Sequence, residues 1–296
     1  LSPFTYDAAP SSDSWSGGGN MISGRQNLVG VGTQDAGLAI GGLAPSLTGA
    51  TEEYNGTAWA AGGALSTARY SLGGAGTQNS ALGFGGGNPG VLSCTEEYDG
   101  NSWSSGGALL ARSQLAGAGE SISSALAFAG RTPGLTNLTE EYDGTNWATG
   151  GTMIVSRRLN AGAGTQNSAI SMGGFVNDAD NRVEEYNGTA WSAGGNLITG
   201  RYSLSGAGTQ NSAIAFGGES NAAVTNSTEE YDGTTWKSAA SMPTVRVLAG
   251  GVGANNNSAM TFGGLTPSLA SSTALYNTAT NVCSATPFCL STWSGG

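Results

Sequence analysis

One spacing dominates the chain. Trp stands at positions 15, 59, 103, 147, 191 and 236, successive separations of 44, 44, 44, 44 and 45 residues, and Arg at 25, 69, 112, 157, 201 and 246 keeps nearly the same step. Tyr repeats at 54, 98, 142, 186, 231 and 276, and a Gly-Gly pair closes an apolar run at 41, 85, 173, 217 and 263, with Ala129-Gly130 in the remaining unit. Four residue types sharing one period describe an array of one supersecondary unit, each copy burying its apolar face only against its neighbours.

Each unit reads as four short strands. In one of them Arg69 to Gly76 is the first strand, Thr77-Gln78-Asn79 turns it, Ser80 to Gly86 is the second, Thr95 to Tyr98 the third, and a Trp strand follows an Asp-Gly pair. Asn-Gly or Asp-Gly between strand-like runs is a strong hairpin signal, and a type I′ turn would need positive φ at both residues. No stretch carries a helical apolar period of helical length. The expectation is an all-β, six-bladed propeller of four antiparallel strands per blade, in a single domain spanning 1–296. The first strands are small, as in Leu72-Gly-Gly-Ala-Gly and Leu204-Ser-Gly-Ala-Gly, so that six backbones converge on the axis. Trp59, Trp103, Trp147, Trp191 and Trp236 then fill the wide outer wedges between blades.

The order Gly85-Gly86, Tyr98, Trp103, Arg112 resembles the Kelch repeat, in which a diglycine ends the second strand, Tyr lies on the third, Trp follows and Arg leads into the next blade. The resemblance covers almost the whole chain and implies a propeller. It implies little about activity, because Kelch propellers serve as scaffolds, ligand binders and, in galactose oxidase, as an enzyme body.

Six first and second strands face seven candidate third strands, from Phe4-Thr5-Tyr6 to Thr273–Tyr276. The simplest closure has the last blade borrow an N-terminal strand, Trp15 lying beside Tyr276. Residues 277–296 then form a tail or a substitute closing strand, since Trp293-Ser-Gly-Gly echoes Trp15-Ser-Gly-Gly; a seventh, incomplete blade is the alternative. Cys283 and Cys289 are candidates for a disulfide across a short loop, and Cys94 is read as a small buried residue.

Composition removes whole classes of chemistry. There is no His, so no Ser-His-Asp relay and no imidazole metal cage. A net charge of -10 with a single Lys, Lys237, argues against nucleic acid and against an anionic membrane surface. The Glu pairs at 52/53, 96/97, 140/141, 184/185 and 229/230 straddle their strands, so they read as structural, one member meeting a repeat Arg across a blade junction and the other nearer solvent. Asn177-Asp-Ala-Asp-Asn-Arg182 opens like a calcium loop but lacks the following Gly and the distal Glu, and the Asn-Gly-Thr sequons at 55 and 187 fall where a turn is required. The sequon at Asn226 has no such explanation. No cofactor and no metal is expected.

Comparing the units with one another separates two faces of the disc. The hairpin-turn face is monotonous, with Thr-Gln-Asn at 77, 165 and 209, whereas the opposite loops differ: Leu43-Ala-Pro-Ser, Gly87-Asn-Pro-Gly, Arg131-Thr-Pro-Gly, Phe175-Val-Asn-Asp, Glu219-Ser-Asn-Ala. Variation on one face of a rigid scaffold marks a binding surface. The candidate binding residues are Asn88, Arg131, Asn177, Asp178, Asp180, Arg182, Glu219 and Asn221; Arg69, Arg112, Arg157, Arg201 and Arg246 belong to the structural repeat.

The expectation is a non-catalytic recognition or structural module, extracellular or on a virion, of phage or bacterial-surface style, whose partner is a protein or glycan. A self-assembling fibre or lattice subunit is one rival. A carbohydrate-active enzyme is the other, but an oxidase copper site would need His, and a sialidase-like Arg cluster is missing where only Arg131, Arg158 and Arg182 fall outside the repeat.

Overall fold

A computed structural model describes residues 13–278 as six four-stranded antiparallel sheets with no helix among them. In the second blade the order from axis to rim is Gly73–Thr77, Ser80–Phe84, Thr95–Tyr98 and Trp103–Ser105. The first strand is therefore shorter than the sequence suggests: Arg69 lies in the connection that crosses from the previous rim to the axis. Short hairpins such as Arg131–Thr132 with Gly134–Leu135 stand on the loops between second and third strands.

The ring closes by the borrowed strand. Ser14–Gly17 pairs antiparallel with Thr273–Asn277, Trp15 opposite Tyr276, and completes the sixth blade beside Ser258–Phe262 and Gly250–Asn255. Phe4-Thr5-Tyr6, Cys283, Cys289 and the tail from 279 onward lie outside the described residues. Cys94 is half-buried rather than buried.

The Asx-Gly turns also differ from expectation. Tyr54 pairs with Trp59, so the connection has four residues, and only the glycine has positive φ, 88° at Gly56 and 91° at Gly100. The reason is the Asx side chain: Asn55 Oδ1 accepts from the Thr57 and Ala58 amides at 3.0 and 2.9 Å, and Asp99, Asp143, Asn187 and Asp232 do the same in their blades.

Blade junctions repeat one set of contacts. The rim Trp donates its indole N–H to the third-strand Thr of the preceding blade, as Trp103 to Thr51 at 3.0 Å and Trp191 to Thr139 at 2.9 Å. Where that Thr is Val183, Trp236 donates only to the Gly195 carbonyl. Trp147 lies edge-on to Phe84 of the preceding blade, ring centres 4.9 Å apart. Gln78 Nε2 reaches back to the carbonyls of Gly37 and Tyr54, and Gln34, Gln166 and Gln210 repeat the reach. The monotony of the turn face is thus structural: in four blades its Gln latches the blade to the one before, and in the sixth Asn256 donates to the Tyr231 carbonyl in its place.

The Glu pairs divide their work. Five of the six repeat Arg enter a blade and pair with the first Glu of that blade's own third strand: Arg112 with Glu140 at 2.5 Å, Arg201 with Glu229 at 2.8 Å, and likewise Arg25 with Glu52, Arg69 with Glu96 and Arg157 with Glu184. The ion pair lies inside a blade, so the expected crossing of the junction falls to the second Glu instead. It accepts from the Tyr hydroxyl of the next blade, as Glu97 does from Tyr142 and Glu185 from Tyr231, both at 2.6 Å.

Burial first, and the Glu hydrogen bond second, push the phenols of Tyr98, Tyr142, Tyr186 and Tyr231 up from 10.0 to about 12. A raised folded value favours the folded state while the phenol stays neutral; that contribution is complete below pH 10 and is lost as pH rises to about 12. Tyr98→Phe is therefore expected to flatten the fall in stability between pH 10 and about 12 in denaturant titrations, while costing about 1 kcal/mol at neutral pH. An unchanged alkaline slope would count against this account.

Candidate functional site

The face opposite the Gln latches is built around the axis. Two residues beyond each repeat Arg the chain takes a left-handed conformation: Asn27, Ser71, Gln114, Leu159, Ser203 and Leu248 have φ between 51° and 57°. Left-handed geometry costs a non-glycine residue about 1–2 kcal/mol. What holds it is a closed circle of six backbone hydrogen bonds, each amide donating to the carbonyl of the equivalent residue one blade back, from Ser71 to Asn27 at 2.8 Å round to Asn27 to Leu248 at 2.9 Å. The circle forms the floor of a depression, and its side chains, unlike the repeat Arg before them, differ from blade to blade.

Over this floor lies a cavity of about 600 Å3. Its apolar wall comes from Val245, Val247 and Leu265 at the entry to and on the sixth blade; Tyr70, Tyr202 and Glu219 face it. Burial, and then the Glu219 carboxylate, raise the Tyr202 phenol above its ordinary value. Tyr202 also stands edge-on to Phe175, ring centres 5.3 Å apart, and Phe175 belongs to a second cavity of about 240 Å3 between the third and fourth blades' hairpins.

The eight residues singled out from sequence separate into groups. Glu219 lines the axial cavity and Arg131 the second one. Asn177, Asp178 and Asn221 are exposed, Asn221 Oδ1 accepting from the Ala179 amide at 2.9 Å and so tying the fourth and fifth loops together. Asn88 turns inward and donates to the Ala68 carbonyl at 2.8 Å. Asp180 is buried, binding Arg182 at 2.9 Å and lying 3.6 Å from Arg157, so the loop that opens like a calcium site directs this carboxylate into the blade. Among the described residues no group of three or more His, Cys, Asp or Glu could hold a metal ion. Asn226 is half-buried and donates to the Met242 carbonyl at 2.9 Å.

Tyr70, Tyr202, Val245 and the left-handed circle were not legible as site residues. The signal that points to the circle is a position lying between repeating Arg and mostly repeating Leu that itself changes in nearly every unit, as in Arg69-Tyr-Ser71-Leu72 and Arg112-Ser-Gln114-Leu115. No protein-family model matches the chain, and no curated protein matches it.

Proposed function

We propose that this protein is a Kelch-like propeller that acts as a non-catalytic recognition module outside the cell or on a virion, taking a protein or glycan on its variable face. The observation that carries the reading is the contrast between the two faces. One face repeats the same Gln latch and Asx turn, whereas the other holds a hydrogen-bonded circle of six residues of four types, no two neighbours alike, beneath a cavity of about 600 Å3. Pockets of about 300–1,000 Å3 with an apolar lining and a few convergent polar groups are the usual form of a ligand site. The regular repeats and the His-free, Gly- and Asn-rich composition support the surface or virion setting.

The test is binding to panels of immobilised oligosaccharides and of cell-surface proteins, comparing the wild type with Tyr202→Ala on the variable face and Thr57→Ala on the turn face. Binding weakened at least about tenfold by the first and unchanged by the second is expected. Self-association at micromolar concentration, with no binding by the variable face, would instead identify an assembly subunit.

A further inference from the structure

The second cavity has a chemistry of its own. All ten cations of the chain lie within the described residues. Five repeat Arg are fully buried on Glu partners, Lys237 sits 2.8 Å from Glu230, and Arg182 holds Asp180. Arg246 is buried and faces its own blade. That leaves Arg131 and Arg158, neither with a carboxylate partner among the described residues, and they line the same cavity.

Arg158 is held in place. Its Nη1 donates to Gln114 Oε1 at 2.7 Å and its guanidinium lies 4.9 Å from the centre of the Phe175 ring. Partial burial and the like charge of Arg131 both lower its affinity for a proton, so the two guanidiniums feel each other across the cavity. Arg131 turns its Nε and Nη2 to the Pro133 carbonyl of its own hairpin at a long 3.4 Å each, and its Nη1 has no hydrogen-bond partner among the described residues. Two cations brought to one cavity with no carboxylate partner among the described residues, in a protein of net charge -10, make this cavity electropositive.

We propose that this cavity binds a carboxylated sugar, with the carboxylate between Arg131 and Arg158 and the ring against Pro133, Leu135, Phe175 and Val176. A guanidinium matches a carboxylate in a planar, two-bonded fork. The aliphatic and aromatic walls suit the C–H face of a saturated ring, and about 240 Å3 accommodates one sugar unit with its neighbours extending into the open crown of loops. This inference rests on the variable face being a recognition surface and names the chemistry of one ligand there.

The experiment measures binding of an oligouronide to the intact protein by calorimetry, beside its neutral counterpart, inorganic phosphate and a glutamate-rich peptide. The oligouronide alone is expected to bind, more weakly as salt rises, and R131Q and R158Q are each expected to lower affinity about tenfold or more. K237Q, the same charge change on a distant rim strand, should leave it unchanged, and circular dichroism checks that each variant folds. Oligouronide binding that survives the R131Q/R158Q pair overturns the proposal, as does Arg-dependent binding of phosphate or peptide but not of the uronide. A sugar bound in a manner dependent on Tyr202 and independent of both Arg would sink this inference and keep the recognition role. Binding of no sugar or protein by the variable face would remove both.

Discussion

Arg201→Met is expected to destabilise the protein by about 3–5 kcal/mol, whereas Arg246→Met should cost no more than about a third as much. The two arginines occupy equivalent positions, and both donate to paired blade carbonyls, Arg201 to Gly217 and Ser227, Arg246 to Gly263 and Ser272. They differ in what else they face. Arg201 lies 2.8 Å from Glu229, a carboxylate 2% exposed that would be left buried and unpaired. In the sixth blade Ala274 stands where the Glu would be, and Arg246 has only the Ser272 hydroxyl at 2.7 Å. The Glu of the other five blades also accepts backbone amides, such as Ile198 N–H to Glu229 at 2.7 Å; the matching residue of the sixth blade is Pro243, which has no N–H. Acid and amide are lost together, so the site is coherent. Its residual cost is that burial alone brings the Arg246 guanidinium down to about 10. Removing that charge relieves a desolvation penalty and orphans only neutral acceptors, two carbonyls and a hydroxyl. Denaturant midpoints followed by Trp fluorescence separate the two variants, and equal losses would show that carbonyl capping, not the ion pair, is what the repeat Arg provides.

What the sequence reveals and what it hides follow one rule. Trp, Tyr and Arg recur because every blade solves the same packing problem, so comparing the chain with itself exposes blade number, strand order and the closing strand. Glu140 and Arg112 were legible as partners, but not the direction of their pairing, because which blade a connection belongs to depends on where it crosses the disc. The Gln of Thr-Gln-Asn looked like turn chemistry, although its amide reaches the preceding blade. Asp180 reads from sequence as a surface ligand in an acidic loop, yet it is buried, accepting from the Arg182 amide and Nε and lying near Arg157. The candidate sites were hardest to see for the opposite reason: Arg131 and Arg158 stand outside the repeat, 27 positions apart in the numbering, and only the adjacency of two blades brings them to one cavity.

The closing strand should be the point at which the ring fails. Removing residues 1–17 is expected to abolish the folded monomer, because the seam depends on a four-residue strand with no covalent link to its blade. Trp15 donates to Thr228 Oγ1 at 3.0 Å and to the Ala240 carbonyl at 2.9 Å, and packs against Phe216 and Tyr276. Loss of a Trp from such a setting costs about 3–5 kcal/mol before strand pairing is counted. Without Ser14–Gly17 the strand Thr273–Asn277 becomes an open edge, which invites pairing with another chain. The truncated protein should therefore associate in solution, read by light scattering, and a peptide spanning residues 12–20 added in trans should restore the monomer. The sixth blade is also the one without the Glu pair: Leu275 leaves Tyr54 without the carboxylate that every other third-strand Tyr of the repeat meets, and Ala274 leaves Arg246 without its acid. The Tyr–Glu hydrogen bond that reinforces the other junctions is thus absent between the sixth and first blades, where Trp59 to Thr273 Oγ1 at 2.9 Å and the Gln34 latch remain, so within the sixth blade strand pairing and Trp15 carry the closure. The decisive comparison is with a chain lacking 279–296 as well, since Trp293-Ser-Gly-Gly repeats the Trp15 sequence. If removing 1–17 leaves a stable monomer and only the double truncation associates, then both termini can fill the slot, and closure does not depend on Ser14–Gly17 alone.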